Sequence, residues 1–173
     1  VGFEAEQVSV ARQGRFAARL SSVELVPTVG VVEGLRVIKE PDEVAAIRTA
    51  AGIADIAYRA LIDDGFAGRT EAQVAWDLEG LMRAAGAEGA SFDIIVASGA
   101  HGALPHAVPR PVPVQANSLV VVDMGARVHG YASDCTRTFA TGPLPPELDE
   151  AYRVCLDAQR AALAACRPGV HTG

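Results

Sequence analysis

The chain has 173 residues, half of them hydrophobic and 21% charged, which excludes a disordered polymer and suits one domain of ordinary size or part of a larger one. Its net charge of −6 argues against nucleic acid as the main partner, because a phosphate-binding surface needs an excess of Lys and Arg. No apolar run reaches the about 18 residues of a membrane span, and the three cysteines, Cys135, Cys155 and Cys166, are odd in number without a CxxC spacing, which fits a reducing cytoplasm better than a disulfide framework or a Cys-type zinc site.

Residues 4–20 show helical apolar spacing, with basic residues late, where a helix C-terminus favours them. Residues 23–30, VELVPTVG, read as a short strand or extended segment, since Pro27 does not suit a central strand. A strong helix starts at Pro41, with Asp42 and Glu43 at its positive end. Val44, Ile47, Ala51, Ala54 and Tyr58 follow its 3.6-residue period until Gly65 stops it. Thr70 and Gln73 form a capping-box pattern before a second helix over 71–85, with Val74, Leu78, Leu81 and Met82 as its apolar stripe and Gly86 at its close. SFDIIVASG (91–99) is a predicted strand, followed by a Pro-rich loop that holds His101 and His106. The next stretch, SLVVVDMGARVHGYASDCTRTFATG, reads as two strands joined by a turn, and PPELDEAYRVCLDAQRAALAACRPG as a third long helix. This order predicts an α+β fold, with helices on one face of a mostly antiparallel sheet.

Within that stretch, Asp123 and Asp134 stand among Val120, Val121, Val122 and Met124. If 119–124 and 131–139 pair as a hairpin turning at Val128 and His129, Asp123 faces Asp134 on one side of the sheet, with Cβ atoms roughly 5 Å apart. Two ionised carboxylates so placed repel each other unless they share a proton or hold a cation between them. Mn²⁺, Co²⁺ and Zn²⁺ accept such oxygen ligands. With a different register, each aspartate is simply a turn or edge residue.

His106 lies between Pro105 and Pro109, which stiffen the backbone and could fix an imidazole over a site; the bland alternative is a surface loop histidine. The same alternative holds more strongly for His101, and His129 is predicted at the exposed turn. Arg137 could neutralise nearby carboxylates. Cys135 points to the face opposite Asp134 and reads as core. Trp76 reads as core or interface.

The segment VVDMGARVHGYASDCTRTFATG resembles the signature of the pita-bread metallopeptidases, which include methionine aminopeptidase, Xaa-Pro aminopeptidase, Xaa-Pro dipeptidase and creatinase. IIVASGAHGALPHAVP resembles their catalytic-histidine segment, and GLRVIKEPDEVAAIRTAAGIAD resembles their linker and first catalytic-domain helix. The resemblance covers nearly the whole chain. It implies that Asp123 and Asp134 are two of five ligands to a pair of divalent metal ions, Mn²⁺ foremost with Co²⁺ or Zn²⁺ as alternatives, and that Asp134 bridges them. It also implies that His106 assists the tetrahedral intermediate and that Ile95 lies near the substrate pocket. The remaining ligands, one His and two Glu, would lie beyond Gly173. Glu40 stands where relatives often place a better N-cap, and His101 where they often place Asn.

The TRT run after Asp134 resembles the proline-specific branch, whose substrates are short peptides with proline at the second position. Residues 1–35 resemble the end of a creatinase-like N-terminal domain, and 36–173 the first half of the catalytic domain. A homodimer is implied. Methionine aminopeptidase, a metal-free creatinase-like hydrolase and a non-catalytic binding module are the competing readings. The sequence begins at Val1 rather than Met and shows no signal-peptide pattern, and GVHTG reads as loop entering a new element, so both natural ends are expected to lie outside it.

Overall fold

The computed structural model describes residues 1–171, which form two compact units, Val1–Pro41 and Asp42 onward. In the first unit, β1 (Gly2–Glu4) pairs in parallel with β2 (Val26–Thr28), so the expected helix over 4–20 is shorter than its apolar spacing suggested. Helix α1 (Val10–Arg19) starts where Ser9 caps it by accepting a hydrogen bond from the Arg12 backbone N–H. Helix α2 (Val31–Arg36) follows from Gly30, whose left-handed backbone suits glycine. Pro27 in β2 sits at the edge position it was expected to take.

The second unit begins with α3 (Pro41–Asp64), which ends at Gly65 in the left-handed conformation as predicted. Its buried face is Ala46, Ala50, Ile53, Ala54, Ala57, Tyr58 and Leu61, whereas Val44 and Ala51 are exposed. The predicted stripe thus meets that face at Ala54 and Tyr58, with Ile47 half-buried, but not at Val44 and Ala51, because four of the seven buried positions are alanines. Helix α4 (Glu71–Ala84) carries the expected capping box, with both reciprocal hydrogen bonds between Thr70 and Gln73 formed. Val74, Leu78 and Met82 are buried, and Leu81 is half-buried. Trp76 is 78% exposed, so it belongs to no core.

Two small antiparallel sheets complete the unit. One joins β3 (Gly89–Ala90), β6 (Ala126–Val128) and β7 (Tyr131–Ala132), and the other joins β4 (Ile95–Ser98), β5 (Leu119–Met124) and β8 (Cys135–Ala140). The predicted strand over 91–99 is thus only four residues long, and a 3-10 turn (Gly99–Ala103) follows it. Val120, Val122 and Met124 of β5 pack with Tyr58 and Leu61 of α3 and Val74, Leu78 and Met82 of α4 in one apolar core. Alternation along the strand then turns Asp123 to the other face. Helices on one face of an antiparallel sheet are the arrangement that the sequence predicts. Helix α5 (Pro146–Ala165) follows β8 and buries none of its residues. Among the described residues, no helix is long and apolar enough to cross a membrane.

The hairpin register differs from the expected one. Its tip is His129–Gly130, both with positive φ (50° and 77°), rather than Val128–His129. A two-residue turn of this kind needs left-handed backbone at both positions, which Gly130 takes freely and β-branched Val128 resists. The one-residue move of the turn shifts every pair by two, so Asp123 faces Thr136 on β8 and Ile95 on β4, not Asp134. Asp134 lies instead in the irregular stretch between β7 and β8. There Gly125 approaches the backbone so closely that an added Cβ would stand 1.8 Å from the Ser133 carbonyl oxygen. Gly125→Ala is therefore expected to destabilise the fold by about 2 kcal/mol through forced backbone displacement, lowering Tm by roughly 5 °C. Thermal melts followed by circular dichroism check this, and an unchanged Tm would mean that the Ser133 segment yields without cost.

Candidate active site

The strand face that carries Asp123 opens on a cavity of about 500 Å³. Ile95, His106, Asp123 and Asp134 all line it. The four residues singled out in the sequence thus converge, although the two aspartates are not opposed across the ladder. Ile95 and Asp123 are register partners on adjacent strands, and the Thr136 hydroxyl, in register on the other side, donates to Asp123 Oδ1 at 2.7 Å. This contact orients the Asp123 carboxylate while leaving its second oxygen available.

The two aspartates are tied together through the backbone. The Tyr58 hydroxyl on α3 reaches the carbonyl oxygens of Val122 (2.9 Å) and Cys135 (2.6 Å), the neighbours of Asp123 and Asp134 respectively. Burial pushes the phenol above its ordinary pKa, with the nearby Cys135 adding to the effect, so it remains a donor. Ser91 Oγ donates to the Ser133 carbonyl at 2.7 Å, and Ser133 Oγ accepts from the Ala126 backbone N–H at 3.0 Å, which fixes the residue before Asp134. Cys135 is half-buried against the core, as its strand alternation predicted.

Arg137 does not neutralise the aspartates. Its guanidinium lies 5.6 Å from the centre of the Tyr58 ring and donates to the Thr136 carbonyl. Among the described residues, neither Asp123 nor Asp134 has an Arg, Lys or His within ion-pair distance. Asp93, which the sequence reading passed over, is exposed, lacks such a partner and lines the same cavity. Its only sequence signal is a carboxylate placed directly before an apolar strand. Three uncompensated carboxylates around one cavity favour a cation over an anion. Among the described residues, no three His, Cys, Asp or Glu side chains are grouped closely enough to hold a metal ion.

Residues 45–173 match metallopeptidase family M24. The chain belongs to that family. Over 170 residues it is 41% identical to the uncharacterized peptidase YqhT of Bacillus subtilis, covering 98% of this chain and 48% of that protein. The Xaa-Pro dipeptidase of Pyrococcus furiosus is 41% identical over 140 residues, 81% of this chain and 40% of that one. The solved prolidase of Pyrococcus horikoshii OT3 superposes with a TM-score of 0.91 at 34% identity, covering 98% of this chain and 48% of that one. The M24 chain therefore spans about half the length of the curated relatives it matches, and its α+β architecture is that part of the pita-bread fold of the prolidases.

A second polar cluster in the M24 chain lies beside the loop that carries His106. Glu71, the first residue of α4, is fully buried. Its Oε1 accepts from Ser98 N (2.9 Å), Ser98 Oγ (3.1 Å) and Arg110 Nη2 (3.0 Å). Its Oε2 accepts from Arg110 N (3.1 Å), Arg110 Nε (3.0 Å) and His101 Nδ1 (3.0 Å). Sequence reading missed this cluster because a Glu after a helix cap is normally a solvated dipole partner. His101, expected on the surface, has a side chain only 9% exposed. Burial opposes ionisation of Glu71, but the hydrogen bonds from Arg110 and Ser98 outweigh it and hold the carboxyl at about 2, below its ordinary 4.5.

Because that folded-state value is depressed, the stabilisation from ionised Glu71 is present above pH 4.5 and is lost as pH falls toward 2. Glu71→Gln cannot ionise, so the Tm difference between wild type and this variant is expected to narrow across that window. A gap that stays constant through it would show that the carboxylate charge contributes nothing to stability.

Proposed function

We propose that the whole protein hydrolyses the peptide bond between an N-terminal residue and proline in short peptides, as an Xaa-Pro dipeptidase or aminopeptidase. The observation that carries this reading is the convergence of Asp123, Asp134, His106 and Ile95 on one cavity. Family membership and the prolidase relatives support the reaction class.

The donor set suits hard or borderline divalent cations, because both aspartates face the cavity without a cationic side chain at ion-pair distance among the described residues. Asp123 and Asp134 would hold two such ions, Mn²⁺ foremost, together with ligands from outside this chain. When bound, the ions supply a hydrolytic water of lowered pKa and polarise the scissile carbonyl. The Thr136 hydroxyl keeps one Asp123 oxygen engaged, so the carboxylate presents a defined lone pair. His106 offers a ring N–H to the oxygen on which negative charge develops at the scissile carbon. Ile95, Phe92 and Val108 line the cavity with apolar surface that suits the pyrrolidine ring and keeps loose water out.

In the whole protein, His106→Ala is expected to lower kcat by about 100-fold, the cost of one lost oxyanion donor, while metal content stays close to wild type. Proline release and elemental analysis measure the two quantities; normal turnover would remove His106 from the chemistry. Asp134→Ala should lose bound metal, and an unchanged metal stoichiometry would refute its ligand role. Preferential cleavage of Met-initiated peptides over Xaa-Pro peptides would move the assignment to a methionine aminopeptidase.

A further inference from the structure

His106 is exposed, and its side chain has no hydrogen-bond partner among the described residues. Where its imidazole stands is therefore decided by the backbone that carries it. Pro105 and Pro109 limit the flexing of that backbone, and Ala107 is seated with only 4% exposure. The segment from Ser98 to Arg110 is then tied at its start, near its first turn and at its end to a single side chain, Glu71, through Ser98, His101 and Arg110. The start of α4 reinforces the far end, because Ala72 N–H donates to the Arg110 carbonyl at 3.0 Å and Glu71 N–H to the Val112 carbonyl at 3.1 Å.

We propose that Glu71 is a positioning residue for His106: its buried carboxylate gathers the two ends of the Ser98–Arg110 loop and so sets the reach of the imidazole into the cavity. The proposal rests on the role given to His106 above. All six partners of Glu71 are donors, and an ionised carboxylate can only accept. His101 therefore donates through Nδ1, and the Arg110 side chain supplies the opposite charge by a two-pronged contact. An amide at position 71 would turn one acceptor into a donor facing other donors, and at least one anchor of the loop would have to release. The aspartates are held by a different set of contacts, from Tyr58, Thr136, Ser91 and Ser133. Loosening the loop should then move His106 without moving the carboxylates that face it.

The test is a double-mutant cycle in the whole protein with an Xaa-Pro dipeptide as substrate. Glu71→Gln is expected to lower kcat by about tenfold to 100-fold, the scale of a misplacement near 1 Å, with KM and metal content close to wild type. On the His106→Ala background the same change should cost less than about twofold, because coupled residues are not additive. Losses that multiply, or a fall in kcat that follows a fall in metal content, would overturn the positioning role while leaving that of His106 intact. Wild-type turnover in His106→Ala would instead remove the reading on which the proposal stands. Arg110→Lys keeps the charge but not the planar fork; it runs through the same cycle, with a smaller kcat loss that likewise vanishes without His106, so a poorly folding Glu71→Gln leaves the question answerable.

Discussion

β5 must satisfy two demands at once, and the rest of the second unit is arranged around them. Val120, Val122 and Met124 are fully buried against α3 and α4, while alternation forces Leu119, Val121 and Asp123 to the opposite face. A slip of one residue would drive Asp123 into the apolar core and expose three large side chains. The ladder bonds to β4 and β8 on both edges, and the left-handed turn at His129–Gly130, hold the strand in the one register that avoids this. A carboxylate can therefore stand within a run of valines because it lies on the face away from Val120 and Val122.

The site uses two kinds of support with different reach. The aspartates sit on or beside strands and are fixed by short contacts to neighbouring backbone, of which the Tyr58 hydroxyl is the most economical, since one group touches the residue next to each. His106 lies on a loop and depends on a charge at a distance, because the Glu71 network contacts the loop's ends and early turn but not its tip. Ionised groups are seldom fully buried, and Glu71 meets the cost with six hydrogen bonds and a guanidinium. Such a network favours one geometry strongly and tolerates partial loss poorly.

Much of this was legible in the sequence where local chemistry decides structure. The capping box of Thr70 and Gln73, the Gly65 stop and the helix–strand order follow from side-chain hydrogen bonding and backbone freedom, which act over a few residues. The gathering of Ile95, His106, Asp123 and Asp134 was foreshadowed by motif resemblance, not by periodicity. Residue patterns failed where long-range packing made the choice. The α3 interface follows alanines and Arg137 lies over Tyr58 instead of pairing with a carboxylate, whereas the hairpin turn moved by one residue for a local reason, the left-handed backbone that Gly130 takes freely. Glu71, Ser98, His101 and Arg110 are spread over 40 positions of sequence, and no local rule links an acid after a helix cap to donors so far downstream.

A loop gathered at its base behaves like a purse closed by its drawstring. The entropy of closing such a ring grows only logarithmically, about 0.6 kcal/mol for each doubling of length. Residues near the tip, such as Leu104 and Val108, are exposed, so changes there disturb little of the interior. Tolerance to substitution should therefore be uneven within thirteen consecutive positions, permissive around the rim of the cavity and strict at the drawstring. Selectivity for the group that enters the cavity can drift at the rim at small energetic cost, while the anchor that places the imidazole stays unchanged.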